Sequence, residues 1–393
     1  MKQNKSYKFK LVPNKEQEIA FYNYINTTRF IYNLCLDYKK TLYQNYNINI
    51  SKNDIQKELK DIKNETEWMN NIHSQVAQDV TDRLFTSYDN FFRRVKKGDT
   101  PGFPKFAKKD FWCSFKFKQG VSYCKNTNKI KLPKFGKVKF RKSQEILGNI
   151  KTASIIREND GWYISLCCEE YIEPLKKVNK VIGIDLGLKD LIIDSNGFVF
   201  GNPKTLKIWE DKLIEAQKSL SKKVKGSNNR KKAKERLRKI HSKIARIRKD
   251  NLHKITDKII SENQVIICED LKIKNMMKNH KLAKRIGDAS WSTLINMLEY
   301  KAKWYGRTFL KVNPNYTSQD CNVCNKRNSE LTLKDREWTC VECETHHDRD
   351  INAAINILNR GILILKEAGH VFSTFGDMVR VISSAEEPTE IKH

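Results

Sequence analysis

The chain has 393 residues, which at ~150 residues per domain is enough for two or three domains with real cores. Its 75 Lys and Arg outnumber 46 Asp and Glu and leave a net charge of +29. An enzyme for a small neutral metabolite has no use for that excess, so it points to a polyanion, nucleic acid before an anionic membrane surface. A hydrophobic share of 39% excludes a disordered chain, and no run approaches the ~18 apolar residues of a membrane helix.

Residues 1–8 lack the apolar core of a signal peptide, which predicts a cytoplasmic, nucleoid-associated protein with reduced thiols. Residues 7–12 alternate apolar and basic and read as a strand, broken by Pro13-Asn14. From 15 to about 46, Ile19, Tyr22, Ile25, Phe30, Leu34, Tyr38 and Leu42 fall at helical spacing. A second helical stretch from 72 to 95 carries Val76, Val80, Leu84, Tyr88 and Phe91, and both stripes read as bundle core. After the loop at 96–102, the runs 112–117, 130–132, 138–140, 150–156 and 162–166 are separated by Gly, Asn, Pro and Asp. That texture predicts a small β barrel, with interleaved lysines making one face basic.

From Val181 on, strand and helix alternate. Val181-Ile182-Gly183-Ile184 is a buried strand ending at Asp185. Residues 191–193 and 198–200 form a hairpin through Ser195-Asn196-Gly197. Gln264-Val265-Ile266-Ile267-Cys268 is a second buried strand ending at Glu269, and 309–312 is a third. The pattern predicts a mixed α/β sheet. Residues 383–390 read as a disordered tail.

Three features carry chemistry. Cys321-x2-Cys324, fifteen residues, then Cys340-x2-Cys343 fits four thiolate ligands of a structural zinc; the alternative of two disulfides conflicts with an intracellular site. The position after each knuckle's second Cys favours φ > 0, yet Asn325 and Glu344 stand there, which predicts a looser second knuckle. His346 and His347 are near enough to act as substitute ligands. The remaining cysteines, Cys35, Cys113, Cys124, Cys167, Cys168 and Cys268, read as small buried apolar residues.

The second feature is acidic. Asp185 and Glu269 end buried strands, and Asp350 begins a helix in His347-Asp348-Arg349-Asp350. Carboxylates so placed suit Mg²⁺, and two such ions activate water against a phosphodiester. Taken singly, Asp185 also fits a cap on the Gly187 turn and Asp350 a helix N-cap. Asp190, Asp194, Asp270 and Asp348 compete, Asp194 reading as a turn residue.

The third feature is charge. Residues 221–250 hold fourteen Lys or Arg and two acids, with Leu237, Ile240, Ile244 and Ile247 keeping an apolar helical stripe. Solvated faces mix signs more evenly, so Lys222, Lys223, Arg230, Lys231, Lys232, Arg236, Arg238 and Lys239 are candidates for phosphate contact.

Glu269-Asp270-Leu271, Ala289-Ser290-Trp291, Glu299-Tyr300-Lys301-Ala302, Trp304-Tyr305-Gly306, the cysteine knuckles and Asp348-Arg349-Asp350-x-Asn352-Ala353-Ala354-x-Asn356 form a series. In that order it closely resembles the TnpB (OrfB) proteins of bacterial insertion sequences, relatives of compact type V CRISPR effectors. The match is dense from 181 to 361 and looser to the N-terminus through residues 7–11 and 101–104.

The resemblance implies a multidomain α/β protein with a β barrel. A wedge-like barrel (1–14 and 105–176) carries an inserted helical recognition domain (15–104). A RuvC-like nuclease domain of RNase H fold (177–315 and 346–361) is interrupted by a zinc ribbon (316–345), and 362–393 form a partly disordered tail. It implies that Asp185, Glu269 and Asp350 bind two Mg²⁺ ions and are catalytic, and that Cys321, Cys324, Cys340 and Cys343 bind zinc. It further implies a guide RNA from the protein's own element and a DNA target cut beside a short flanking motif. Copy number stays open. An accessory protein with an unused nuclease site is the alternative. A single-strand transposase would need a Tyr nucleophile near paired histidines, and the pair His346-His347 lies in the zinc segment.

Overall fold

The computed structural model describes residues 2–124, 127–332, 334–375 and 378–384. They form two compact units, Lys2–Tyr171 and the chain from Ile172 on. Among the described residues no helix is long and apolar enough to cross a membrane.

In the first unit, β1 (Lys2–Val12) leads into α1 (Lys15–Tyr46), α2 (Lys52–Glu65), the single turn α3 (Glu67–Asn70) and α4 (Ser74–Lys96). A capping box starts α1: Asn14 Oδ1 accepts from the Gln17 N–H at 2.7 Å, and Gln17 Oε1 from the Asn14 N–H at 3.1 Å. Six strands follow: β2 (Ser114–Phe117), β3 (Ser122–Cys124), β4 (Lys129–Leu132), β5 (Gly136–Arg141), β6 (Asn149–Glu158) and β7 (Gly161–Tyr171). With β1 they make one antiparallel sheet in the order β2-β6-β7-β1-β5-β4-β3. Alternation drives it. Tyr7, Phe9, Leu11, Ile130, Leu132, Val138 and Phe140 turn inward, while Lys129, Lys131, Lys137 and Lys139 stay outside.

Helices pack on the sheet's apolar face. The stripe Val76, Val80, Leu84 and Tyr88 on α4 is buried, with Phe91 partly so. On α1 the expected stripe is displaced: Ile19, Tyr22, Phe30 and Tyr38 are exposed, and the buried face is Phe21, Tyr24, Ile25, Ile31, Tyr32, Cys35 and Leu36. Aromatics lie all round this helix, and the buried face also carries Thr27 and Thr28, whose burial is tolerated at Thr28 because its hydroxyl donates to the Tyr24 carbonyl at 2.7 Å. Cys35, Cys168 and Cys268 are buried as expected, but Cys113 is exposed.

The second unit opens with β8 (Val181–Asp185), β9 (Asp190–Asp194) and β10 (Val199–Gly201). Then come α5 (Thr205–Ile208), α6 (Glu210–Ser221), α7 (Asn228–Glu262), β11 (Val265–Glu269), α8 (Ile273–Met276), α9 (His280–Ala289), α10 (Trp291–Tyr305) and β12 (Thr308–Val312). The short hairpin β13 (Glu337–Thr339) and β14 (His346–Asp348) leads to α11 (Arg349–Glu367), and β15 (His370–Phe375) pairs with β16 (Met378–Ser384). Helix α11 thus runs past Gly361, the expected domain end, and residues 370–375 and 378–384 pair as strands where a tail was expected. The rest of that expected tail, 385–393, lies outside the described residues.

The sheet order is β10-β9-β8-β11-β12, with β9 antiparallel to its neighbours and β8, β11 and β12 parallel. Strand alternation sorts two cores. Ile182, Ile184, Ile266 and Cys268 face α7, α9 and α10; Val181, Val265 and Ile267 face Ile357, Leu358 and Ile362 of α11. Helix α11 sits close on that face because two contacts lack a side chain. A Cβ at Gly183 would run into the Ala354 carbonyl, and one at Gly361 into Ile267.

Candidate metal centres

The register of β8 against β11 brings two carboxylates together. Val265, Ile266, Ile267 and Cys268 lie opposite Val181, Ile182, Gly183 and Ile184, so Asp185 and Glu269 follow at the next position of each strand. Both share parity with Val181, Gly183, Val265 and Ile267, so both belong to the face that α11 covers. Asp350 stands in the first turn of α11.

Asp185 is partly exposed, and Glu269 is buried at 7% exposure. Desolvation pushes the Asp185 carboxyl up to about 8, helped by the charge of Glu269 and then of Asp350. Burial also raises Glu269, opposed by a hydrogen bond from the Thr317 hydroxyl (2.5 Å to Oε1) and by the Arg360 guanidinium. Asp350 accepts from Arg336 Nη1 at 3.1 Å.

The competing acids separate cleanly. Asp348, not Asp350, is the N-cap of α11: its Oδ1 accepts from the Asp350 and Ile351 N–H groups, both at 2.9 Å. That corrects the N-cap reading of Asp350 and leaves its carboxylate free to accept from Arg336. Asp194 caps the hairpin turn by accepting from the Asn196 and Phe198 N–H groups at 2.9 Å. Asp270 points to solvent.

The four cysteines form the second centre. Their sulfurs all lie within 4.8 Å of one another, with Cys321–Cys343 at 3.6 Å and Cys324–Cys340 at 3.5 Å. A zinc tetrahedron with Zn–S ~2.3 Å sets its sulfurs about 3.8 Å apart, so the donor set fits zinc. Among the described residues no other group of His, Cys, Asp or Glu is gathered this tightly.

The two knuckles are built alike. The Asn325 N–H bonds the Cys321 carbonyl at 3.0 Å and the Glu344 N–H bonds that of Cys340 at 2.9 Å. Asn325 (φ 62°) and Glu344 (φ 57°) both hold the left-handed conformation. The second knuckle is therefore as closed as the first, and Glu344 carries the strain that a glycine would avoid. Contacts with the Thr345 hydroxyl and N–H hold the Cys343 thiol down at about 6, while at Cys324 the lowering by the Lys326 N–H is outweighed by desolvation and then by bonding with Cys340, Cys343 and Cys321, which together send it up to about 12. His347 is buried with Nε2 3.1 Å from Cys321 Sγ, so it braces a ligand. His346 is exposed and meets Thr339 Oγ1.

The basic run occupies the end of α6, the turn after it and the first half of α7. Lys222, Lys223, Lys231, Lys232, Arg236, Arg238 and Lys239 are exposed. Arg230 differs, since its guanidinium ties the turn by donating to the Leu220 and Lys223 carbonyls at 3.0 and 2.8 Å. Arg236 and Lys239 are partly neutralised by Glu215 and Glu235. A second basic surface has no signal in any one stretch of sequence. A cleft of about 890 Å³ is lined by Lys189, Lys204, Lys207, Lys284 and Arg285, and it also touches Arg336, the partner of Asp350.

A two-unit α/β protein with a four-cysteine centre is what fold and site define. Residues 165–280 match the family model OrfB_IS605, described as "Probable transposase", and 291–357 match "Cas12f1-like, TNB domain". Residues 1–47 match a "Helix-turn-helix domain", although this segment is one strand and one long helix. The chain is 32% identical to "Putative RNA-guided DNA endonuclease InsQ" of Escherichia coli (strain K12), over 100% of this chain and 99% of that protein. It is also 32% identical to a "Putative RNA-guided DNA endonuclease" of Streptomyces pristinaespiralis, over 91% and 89%. Among solved structures, the mini-RNA-guided endonuclease CRISPR-Cas_phi3 aligns over 92% of each chain at 12% identity and a TM-score of 0.48, a likeness too low to argue from. The chain belongs to the TnpB (OrfB) family.

Proposed function

We propose that the protein is an RNA-guided DNA endonuclease of a mobile element, with its hydrolytic centre at Asp185, Glu269 and Asp350. The observation that carries this reading is the side-by-side placement of Asp185 and Glu269 at the ends of paired strands, with the charge of Asp350 from the start of α11 acting on Asp185, within a chain of net charge +29. The names of its full-length relatives support the same activity.

The donor set is all oxygen and suits two Mg²⁺ ions, with Asp185, Glu269 and Asp350 as the protein ligands. Bound there, Mg²⁺ supplies an activated water and offsets charge on the scissile phosphate. The chain's own residues prepare the site. Thr317 and Arg360 orient and favour the ionised form of Glu269. Arg336 holds the Asp350 carboxylate in place. The basic cleft beside it offers phosphate contacts along a nucleic-acid strand.

The order β10-β9-β8-β11-β12 supports a RuvC-like domain of RNase H fold over 177–315 and 346–361, with the zinc-binding insertion at 316–345. The seven-stranded sheet supports a wedge-like barrel (1–14 and 105–176) bearing the recognition helices of 15–104. Zinc at the four cysteines is structural, since four thiolates leave no open position. Lys222, Lys223, Lys231, Lys232, Arg236, Arg238 and Lys239 contribute sequence-independent phosphate contacts to guide RNA or target DNA; base pairing with the guide reads sequence. The protein acts in the cytoplasm, where bacterial DNA lies.

The test is to co-express the protein with the transcript of its own element and then replace the guide segment. Cutting should move to the newly matched DNA, beside an unchanged flanking motif, and should stop when Mg²⁺ is chelated. Cutting of the original site by RNA-free protein would overturn the reading.

A further inference from the structure

Three polar side chains of α11 recur every four residues and so stand in one row: Asn352, Asn356 and Arg360. Each reaches the segment 313–322 that leads into the zinc knuckles. Asn352 Nδ2 donates to the Asp320 carbonyl at 2.9 Å, and its Oδ1 accepts from the Asn322 N–H at 3.0 Å. Asn356 Nδ2 donates to the Thr317 and Asp320 carbonyls at 2.8 and 2.6 Å. Arg360 Nη1 donates to the Asn313 and Asn315 carbonyls at 2.9 and 2.7 Å. The segment has no regular structure of its own, so α11 supplies the partners its carbonyls need.

From this segment Thr317 reaches back to the sheet. Its hydroxyl has one proton and two acceptors in range, Glu269 Oε1 at 2.5 Å and the Pro314 carbonyl at 3.2 Å. The carboxylate accepts this hydrogen bond, being nearer and charged. Thr317, Glu269 and Asn356 are all buried, at 4%, 7% and 6% exposure. One chain of hydrogen bonds therefore runs from the helix that carries Asp350, through Asn356 and Thr317, to Glu269.

We propose that Thr317 is a positioning residue: its hydroxyl fixes the Glu269 carboxylate while Asn356 fixes its backbone, so that the stem of the zinc-binding insertion sets Glu269 relative to Asp350. This rests on the carboxylate centre proposed above. A buried carboxylate with one oxygen tied keeps its other oxygen turned toward its neighbours. Without the hydroxyl, the carboxylate rotates among orientations and the ligand set loses its arrangement. Thr317→Val keeps the shape and removes only the hydroxyl; Thr317→Ser keeps the hydroxyl.

The experiment uses the full chain with its zinc and guide RNA. It measures Mn²⁺ binding by electron paramagnetic resonance without DNA, zinc content, and cleavage rate with Mg²⁺. Thr317→Val should keep one zinc per chain, yet weaken Mn²⁺ binding and slow cleavage about 10- to 100-fold, the usual effect of losing a partner of a metal ligand. Thr317→Ser should restore both. Wild-type Mn²⁺ affinity and rate in Thr317→Val, or equal damage in Thr317→Ser, would overturn the proposal. So would loss of zinc in both Thr317→Val and Thr317→Ala, because the residue would then hold the loop rather than the carboxylate. Glu269→Gln separates this idea from its foundation. If it still cuts, the carboxylate centre itself fails; if it is inactive while Thr317→Val cuts normally, only the positioning role fails.

Discussion

The cysteine centre and the carboxylate centre are both candidate metal-ligand sets, yet they are assembled by opposite means. Each cysteine knuckle closes on itself. Backbone bonds from Asn325 to Cys321 and from Glu344 to Cys340 shape it within a few residues, and a two-stranded hairpin flanks the second knuckle. The carboxylates come from positions 185, 269 and 350 and share no local structure. Asp185 and Glu269 end neighbouring strands because β8 pairs with β11 in a fixed register, and Gly183 and Gly361 let α11, which carries Asp350 in its first turn, lie close over both strands. A local site should survive damage elsewhere. A site made by packing should fail whenever one of its elements shifts.

The largest effect should come from breaking the local site and reading the distant one. Cys340→Ser removes a thiolate for which a hydroxyl is a poor substitute, so the chain should lose its zinc. The segment 313–322 leads into the knuckles and also supports Glu269 through Thr317, and Arg336 of the same insertion holds Asp350. Cleavage should therefore fall at least about 10-fold, as for other losses of support to metal ligands, while guide RNA binding persists. Metal analysis beside a cleavage assay checks this. Full activity in zinc-free protein would show that the two centres are independent.

A smaller effect sharpens the comparison from the other side. Glu344 holds a left-handed conformation that costs a non-glycine residue about 1 kcal/mol. Glu344→Gly should relieve up to that much strain, raise the melting temperature of the zinc-loaded protein slightly, and leave cleavage unchanged. A lower melting temperature would mean that the knuckle depends on the Glu344 side chain.

What sequence alone reveals follows the same division. The cysteine spacing, and the positive φ at the two places where glycine is missing, are local and can be read directly. The strand ends at Asp185 and Glu269 show as apolar runs stopped by an acid, and the parity of Val181, Gly183 and Asp185 already assigns a face. The pairing of β8 with β11 spans more than eighty positions of chain, so from one sequence only family resemblance suggests it. Asp348 and Asp350 both fit a helix start; the resemblance picks Asp350 as the candidate ligand, and only the folded structure shows that Asp348 is the cap. Thr317, Arg336 and Arg360 carry no local signal, because each acts on a partner brought close only by folding. The face of α1 was misread because its aromatics surround the helix, and α2, with only Ile55 and Leu59 buried, gave too sparse a stripe to stand out.

Asp185, Glu269 and Asp350 are proposed to form one catalytic centre, with Asp348 confined to capping α11. The most direct measurement compares guide-dependent DNA cleavage by Asp350→Ala and Asp348→Ala, each with its zinc and guide RNA. Asp350→Ala should bind guide and target but not cut. Asp348→Ala should lose about 1 kcal/mol of stability from the missing cap and still cut. Normal cutting by Asp350→Ala together with inactivity of a folded Asp348→Ala would contradict the account.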